Sequence, residues 1–505
     1  MRVSAAALLA VLPCLAVGVP HDTRAPTPGR ISITKHSALI NKDGSLDPRV
    51  LQKQIIRAED KLWQGRQQIQ RNSIAQVDET KESKRGIICA LDKHHRAQHP
   101  HHQSGTVEPS PTSTGQLPHS PPTGTPCSGT AFEPLDARHN AYRRGSRNLI
   151  QRHATRLPRA DDPATVSSAA PSGASPSSAP GQDPLDNDRG VMWFGKVSVG
   201  TPPVEYTVDF DTGSSDFFLP GADCNLNCDS HTKYDPHSSS SASPQNRGFI
   251  VGFADGSMAA GDLFADTASI AGFSATNQTV GAASQYSKGF AVDVSPPDGL
   301  MGLAFEPLAT FEAPNLIQFL ADNNQLPEPV FAFKLAAEGS ELSIGGTNPA
   351  LFKGDITFTP VTQQAFWEIK MDSVAVDGNQ VLGPADVIID TGTTLVLGGF
   401  DQVAELYKKI PGAQDASSSV GLGAFTFPCN STSAVSLSFG GKQFPISPDL
   451  FILGPLPDGQ NCVGSIVGSS VAAGDASWII GDRFLQNVYT IFDIGNSQVG
   501  FAELA

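Results

Sequence analysis

Two stretches decide the fold: Val208-Asp209-Phe210-Asp211-Thr212-Gly213-Ser214-Ser215 and Val387-Ile388-Ile389-Asp390-Thr391-Gly392-Thr393-Thr394. Each is an apolar strand that ends in Asp-Thr-Gly. Downstream of each lies a second shared element, two apolar residues and a glycine: Leu300-Met301-Gly302 and Ile479-Ile480-Gly481. From Asp211 to Gly302 is 91 positions, and from Asp390 to Gly481 is also 91. One Asp-Thr-Gly is weak evidence, because turns favour Asp and Gly. Two copies with the same partner at the same interval point to a duplicated domain.

The composition of the 505 residues narrows the class further. Length alone allows roughly two to four domains. The 35 Lys+Arg and 50 Asp+Glu leave a formal charge of −15, which argues against a general nucleic-acid binder, since that requires a basic face. No apolar run reaches the ~20 residues of a membrane-spanning helix. The averages conceal a split near residue 184. Before it stand 23 basic and 15 acidic residues, a net of +8; after it stand 12 basic and 35 acidic, a net of −23. Ten of the twelve histidines also precede it, leaving His231 and His237 beyond. A basic, polar leader is joined to an acidic globular body.

Residues 1–18 read as a secretory signal: Arg2, the apolar run Ala5–Leu12, then small residues at Ala16 and Gly18. Residues 19–184 read as a basic, His/Pro/Ser-rich propeptide and linker. Within them Ile31-Ser32-Ile33 suits a strand. About Asp47 to Ile74 suits a helix, with Leu51, Ile55, Ala58 and Leu62 at helical spacing. Residues 93–130 and 161–184 have too little apolar surface to offset their ordering entropy and are expected to be disordered. From Gly190 onward short alternating strands are separated by Gly, Asp-Gly and Pro turns. Phe249–Phe253, Asp255-Gly256-Ser257 and Leu263–Ile270 read as a hairpin. Helical spacing is scarce: Leu316, Phe319 and Leu320 mark one helix, and Val403, Leu406, Tyr407 and Ile410 another, ended by Pro411-Gly412. The body, residues 185–505, is mostly β.

The two Asp-Thr-Gly motifs and their partners resemble the signature of pepsin-like aspartic proteases, over about residues 190–505. The likeness continues through Asp298–Ala304, Trp478–Asp482, Tyr489–Asp493 and Val499–Ala502, and the stretch Asp209–Asp216 looks most like secreted fungal members. The resemblance implies a bilobal fold with a central cleft and a β-hairpin flap, an N-lobe at about 185–360 and a C-lobe at about 361–505. It also implies a monomeric acid endopeptidase that acts on proteins and peptides without metal or cofactor, made as a zymogen that its own propeptide inhibits. An inactive pepsin-fold binding or inhibitor protein is the alternative.

Peptide hydrolysis needs a base to activate water and an acid to protonate the departing nitrogen; two carboxylates sharing a proton supply both. By resemblance Asp211 and Asp390 are this pair. Gly213 and Gly392 allow the tight turns that aim the carboxylates inward. Ser214 and Thr393 look like their outer hydrogen-bond partners, and Thr212 and Thr391 like the residues that lock the two loops together. Family members usually carry a flap tyrosine bonded to a tryptophan; here those positions are Phe253 and Phe218, which the resemblance places near each other. Losing both polar partners together strands neither. Gly256 and Ser257 complete the flap with Asp255, which reads either as the acceptor of a substrate lysine, as in fungal relatives with Asp there, or as part of a plain Asp-Gly turn.

Of seven cysteines, Cys14 lies in the signal. Cys224 and Cys228 match the family's first disulfide, and Cys429 and Cys462 another. Cys224, Cys228 and His231 also have zinc-like spacing, a reading that secretion disfavours. Cys89 and Cys127 remain in the leader with no assigned partner. Asn277-Gln278-Thr279 and Asn430-Ser431-Thr432 are glycosylation sequons. Lys84-Arg85 and Arg143-Arg144 are candidate processing sites. No lipid anchor is expected, which leaves the exterior, or the vacuole, as destination.

Overall fold

The computed structural model describes residues 39–98, 179–253, 257–470 and 478–505, with the side chains of its first helix only as far as residue 73. Contacts divide the chain into one unit made of the residues up to Lys84 with those from Ser175, and a second made of Arg85–Ala174. The signal segment, Ile31–Ile33, Cys127, Arg143-Arg144 and the pair Asp255-Gly256 lie outside the described residues, as does the side chain of Cys89.

The duplicated motif appears as a duplicated strand arrangement. Strand Val204–Asp211 runs parallel to Gly299–Gly302, with Asp211 opposite Gly302; strand Ala385–Ile389 runs parallel to Trp478–Ile480, with Ile389 opposite Ile480. In each copy the downstream strand is also antiparallel to the strand that follows Asp-Thr-Gly, Phe217–Pro220 in one and Val396–Gly399 in the other. These strands then take a second parallel neighbour, Phe273–Tyr286 and Ile466–Ser469. Parallel neighbours need a long connection, which explains why the shared elements are so far apart in sequence.

The two lobes are tied by a sheet drawn from both. Gly181–Asn187 pairs with Ser340–Ile344, which pairs with Val330–Lys334, then Val488–Asp493, then Gln498–Leu504, then Phe352–Gln364, all antiparallel. Gly181–Pro184 therefore belongs to the body's sheet. The boundary at 185 and the expected disorder to 184 are corrected here: backbone pairing to Glu341–Ile344, which composition does not report, orders these residues. Asp183 is buried in this strand and accepts the Lys196 N–H at 2.9 Å.

Helix α1 spans Pro48–Gln98, so it starts where the apolar spacing predicts and runs well beyond Ile74. Pro48 suits a first helical position. The extension is rich in Glu, Lys, Arg and Gln, good helix formers, and it takes in residues 93–98 of the stretch expected to be disordered as well as Lys84-Arg85. Leu51, Ile55, Ala58 and Leu62 are buried in one cluster with Leu308, Phe366, Ile388, Leu397 and Ile479 of the body. The leader's apolar stripe thus packs on residues from both lobes.

Helix Leu316–Asp322 supports the first Asp-Thr-Gly loop from behind. Buried Asn315 caps it, its Oδ1 accepting the Gln318 N–H at 3.0 Å, while its Nδ2 donates to the Ala304 carbonyl at 2.8 Å. The Leu303 and Ala304 N–H groups in turn donate to the carbonyls of Asp211 and Ser214. Asn315→Ala is expected to cost about 1–3 kcal/mol, from the lost cap and the stranded carbonyl. Asn315→Asp should recover the cap share alone. Urea midpoints at constant slope measure both, and an Ala variant as stable as wild type would refute the account.

Candidate active site

Asp211 and Asp390 face each other with matching surroundings. The outer oxygen of Asp211, Oδ2, accepts the Ser214 hydroxyl at 2.6 Å, and that of Asp390 accepts the Thr393 hydroxyl at 2.6 Å. The inner oxygens, Oδ1, accept the N–H groups of Gly213 at 2.8 Å and Gly392 at 2.9 Å. Beneath them the loops are cross-bonded. The Thr212 N–H donates to Thr391 Oγ1 at 3.1 Å, and the Thr391 N–H donates to Thr212 Oγ1 at 3.0 Å. The Thr391 hydroxyl then donates to the Phe210 carbonyl and the Thr212 hydroxyl to the Ile389 carbonyl, at 2.6 and 2.9 Å. Each strand end carrying an aspartate is therefore satisfied by the opposite lobe.

Gly213 and Gly392 serve a different need from turn geometry. Neither has a positive φ. A Cβ on Gly213 would stand 2.6 Å from Asp390 Cγ, and one on Gly392 would stand 2.6 Å from Asp211 Cγ. Each glycine is the gap through which the opposite carboxylate approaches.

Helix α1 occupies the space above the pair. Lys61 Nζ donates to Asp211 Oδ1 at 2.6 Å and to Asp390 Oδ1 at 2.7 Å, with only 7% of its side chain exposed. Burial disfavours the ammonium, but the two carboxylates outweigh it and hold its pKa above the usual lysine value. Burial would push Asp211 up; Lys61 and the bonds from Ser214 and Gly213 overcome this and hold it below the ordinary carboxylate value. Asp390 stays above that value, because burial and the Asp211 charge together exceed what Lys61 and Thr393 return. Two further buried acids surround the pair. Asp209 is pushed up to about 7 by burial and by Asp211, and Asp482 is driven well up by burial with Asp390 and Asp209 adding to it.

Sequence reading missed Lys61. It sits at the margin of the apolar stripe and looks like any solvated lysine. A legible signal was Gly65, one turn on: glycine disfavours helix interiors, and a Cβ there would lie 2.9 Å from Leu308 Cδ1 and would overlap the Phe366 ring. Other leader contacts were equally unread. Glu59 Oε1 accepts the Ser469 hydroxyl at 2.8 Å, the Ser470 N–H at 2.9 Å and the Ser470 hydroxyl at 3.1 Å. The Arg57 guanidinium lies 5.8 Å from the centre of the Phe253 ring.

Strands Ser243–Gly252 and Met258–Ile270 form the expected hairpin, and the Phe253 N–H donates to the Ser257 carbonyl at 2.7 Å. Phe218 and Phe253 belong to one apolar cluster, and each meets Phe290, with ring centres 5.4 Å and 5.6 Å away. The structure joins Cys224 to Cys228 and Cys429 to Cys462; with the first pair bonded, a Cys224/Cys228/His231 zinc set is not available. Asn277 and Asn430 are both exposed.

Valine at Thr212 or Thr391 would leave a buried N–H and a buried carbonyl of the opposite lobe without partners. Each substitution is expected to destabilise by about 1–3 kcal/mol. The double variant should lose clearly less than the sum, because both belong to one network. Denaturant titration of the three variants checks this, and strict additivity would count against a shared cross-bond.

The eukaryotic aspartyl protease family profile matches residues 192–504. The chain is 41% identical to an aspartic protease of Phaffia rhodozyma over 325 residues, 63% of this chain and 78% of that protein. It is 31% identical to pepsin A of Sus scrofa over 335 residues, 64% of this chain and 84% of the relative. With rhizopuspepsin-1 of Rhizopus niveus it shares 31% identity over 378 residues, 73% of this chain and 92% of the relative. With paired Asp-Thr-Gly loops, two β-lobes and this match across the whole body, the chain belongs to the eukaryotic aspartyl proteases, the pepsin-like aspartic endopeptidases.

Proposed function

We propose that the chain is a secreted acid endopeptidase made as a zymogen, in which Asp211 and Asp390 hydrolyse peptide bonds with an activated water and the leader helix blocks them until acid releases it. The observation that carries this reading is the placement of Lys61 Nζ within 2.7 Å of both inner carboxylate oxygens. A water bonded to the same two oxygens would occupy the position of that ammonium. Leader and water therefore compete for one place.

Once the helix has left, the pair shares one proton, because two carboxylates this close do not both ionise readily. The ionised member takes a proton from the water as its oxygen attacks the peptide carbonyl carbon. The protonated member gives its proton to the carbonyl oxygen. The member that took the water's proton then gives it to the departing nitrogen, the other member takes back a hydroxyl proton of the tetrahedral intermediate, the C–N bond breaks, and the carboxyl product and amine leave the pair with its one shared proton. The hairpin bearing Phe253 acts as the flap, and Asp255, which follows Phe253 by two residues in sequence, as a candidate acceptor for a substrate lysine. The N-terminal segment directs the chain to the secretory route, where the two disulfides persist and Asn277 and Asn430 carry glycans.

The direction of the pH effect follows from the shifts. Lys61 has a raised pKa, so its contribution to docking is present at every pH below the usual lysine range. Asp211 has a lowered pKa, so its contribution is present above the ordinary carboxylate value and is lost as pH falls through the lowered one. Asp390, raised, takes up its proton first and leaves Lys61 bonded to one charge. Docking therefore weakens as pH falls, first as Asp390 is protonated above the ordinary carboxylate value and then as Asp211 is protonated below it.

Asp211→Asn and Asp390→Asn should each reduce peptide hydrolysis at acid pH by ~10³-fold or more while the fold persists by circular dichroism. Near-native turnover by either would refute the dyad. Wild type that binds peptides yet never cuts them would instead favour the inactive binding protein. The precursor should be latent near neutral pH and shed its leader on acidification. Lys61→Met, which keeps the stem and removes the charge, should move the midpoint of release to higher pH. An unchanged midpoint, read by gel at a series of pH values, would remove Lys61 from the lock.

A further inference from the structure

The end of strand Ile466–Ser469 and the residue after it form a cradle of donors that the dyad does not use. Glu59 of helix α1 sits in it. Its Oε1 accepts the Ser469 hydroxyl at 2.8 Å, the Ser470 N–H at 2.9 Å and the Ser470 hydroxyl at 3.1 Å. Three donors thus converge on one oxygen. Ser469 is buried and Ser470 is exposed at the rim. The backbone of the cradle is set by the body, not by the leader. Its strand pairs with Val396–Gly399, Gly399 standing opposite Ser469, and the Gly468 N–H donates to the Gly423 carbonyl at 2.9 Å. Donors held in this way are already ordered when a new occupant arrives, which lowers the cost of binding.

The cradle belongs to the same sheet as the second aspartate. The Asp390 N–H donates to the Ile480 carbonyl at 3.1 Å, Ile480 pairs with Val396, and Val396 pairs with Ile466. The leader helix gives the span. Lys61 Nζ lies 2.7 Å from Asp390 Oδ1, and Glu59 is two residues earlier on the same helix. Two residues turn a helix by about 200°, so the two side chains leave opposite flanks, about 10–12 Å apart across its width. An extended peptide covers that distance in about three residues.

The Ser470 N–H can only donate, so an occupant must bring an acceptor. Glu59 brings a carboxylate oxygen. A substrate glutamine brings an amide oxygen on a side chain of the same length. A glutamate protonated at acid pH still brings its carbonyl oxygen.

We propose that Ser469 and Ser470 form a substrate subsite which, once the leader has left, takes the side-chain oxygen of a glutamine or glutamate about three residues from the scissile bond. The proposal rests on the endopeptidase reading and goes beyond it in naming a polar side chain that the enzyme selects.

The test uses the acid-activated enzyme and a fixed peptide in which Gln or Met, of similar length, is walked through the four positions on each side of the cut. At one position about three residues from the cut, kcat/KM should be about tenfold higher for Gln than for Met, with Glu close to Gln. Ser469→Ala and Ser470→Ala should each lower that ratio about threefold, and the double variant should bring it to within about twofold of unity. A ratio near unity at every position in wild type, or a ratio that survives the double variant, would overturn the proposal. If Ser469→Ala does not fold, Ser470→Ala decides: a lowered ratio supports the subsite, and an unchanged ratio refutes it. Wild type that cuts none of the peptides would strike the endopeptidase reading instead.

Discussion

One buried ammonium between two buried carboxylates organises the molecule. Moving such charges out of water is costly unless they are paired and hydrogen-bonded. Here every element near them answers that cost. Glycines on both loops let the carboxylates approach, two hydroxyls satisfy the outer oxygens, and two threonines bind the loops across the lobe boundary. The arrangement is nearly symmetric, but the charge distribution is not. Asp209 precedes one aspartate on its own strand, whereas Asp482 reaches the other from the downstream motif. The lobes share a backbone plan and differ in where each places its extra acid.

The plan was legible and the lock was not. Asp-Thr-Gly and its distant glycine partner could be read because the interval repeats, and the repeat corresponds to one parallel strand pairing in each lobe. Leu51, Ile55, Ala58 and Leu62 could be read because a helix buries one face at fixed spacing. Lys61 escaped because its partners lie 150 and 329 positions away, and Gly65 marks a close helix contact without naming what the lysine meets. Phe290 escaped for a related reason. Motif positions located Phe218 and Phe253, but only folding shows which ring both of them meet. Gly181–Pro184 was misread because strand order there comes from backbone bonds, which are blind to side-chain composition.

The leader does more than cover a surface. Within Arg57–Lys61 it touches the hairpin, the C-lobe rim and the dyad, using a cation over a ring, a carboxylate with three donors and an ammonium with two acceptors. These contacts differ in chemistry, so they need not weaken together. The bonds from Lys61 to Asp211 and Asp390 respond to acid, whereas the apolar stripe does not titrate at all. The lysine contact is thus the acid-sensitive part of the helix's hold, and the apolar stripe the acid-insensitive part.

The sheet drawn from both lobes also bears on how the molecule is made. Strand Val330–Lys334 finds its neighbour Val488–Asp493 only when that far segment has been synthesised. Thr212 and Thr391, 179 positions apart, can cross-bond only after the second loop emerges. At roughly 5–20 residues per second, that interval takes on the order of ten seconds or more on the ribosome. Throughout this time the leader already exists, while the cleft it will fill does not. Lys61 is therefore present before Asp211 and Asp390 are brought together, and no moment of synthesis exposes the assembled pair without that lysine at hand.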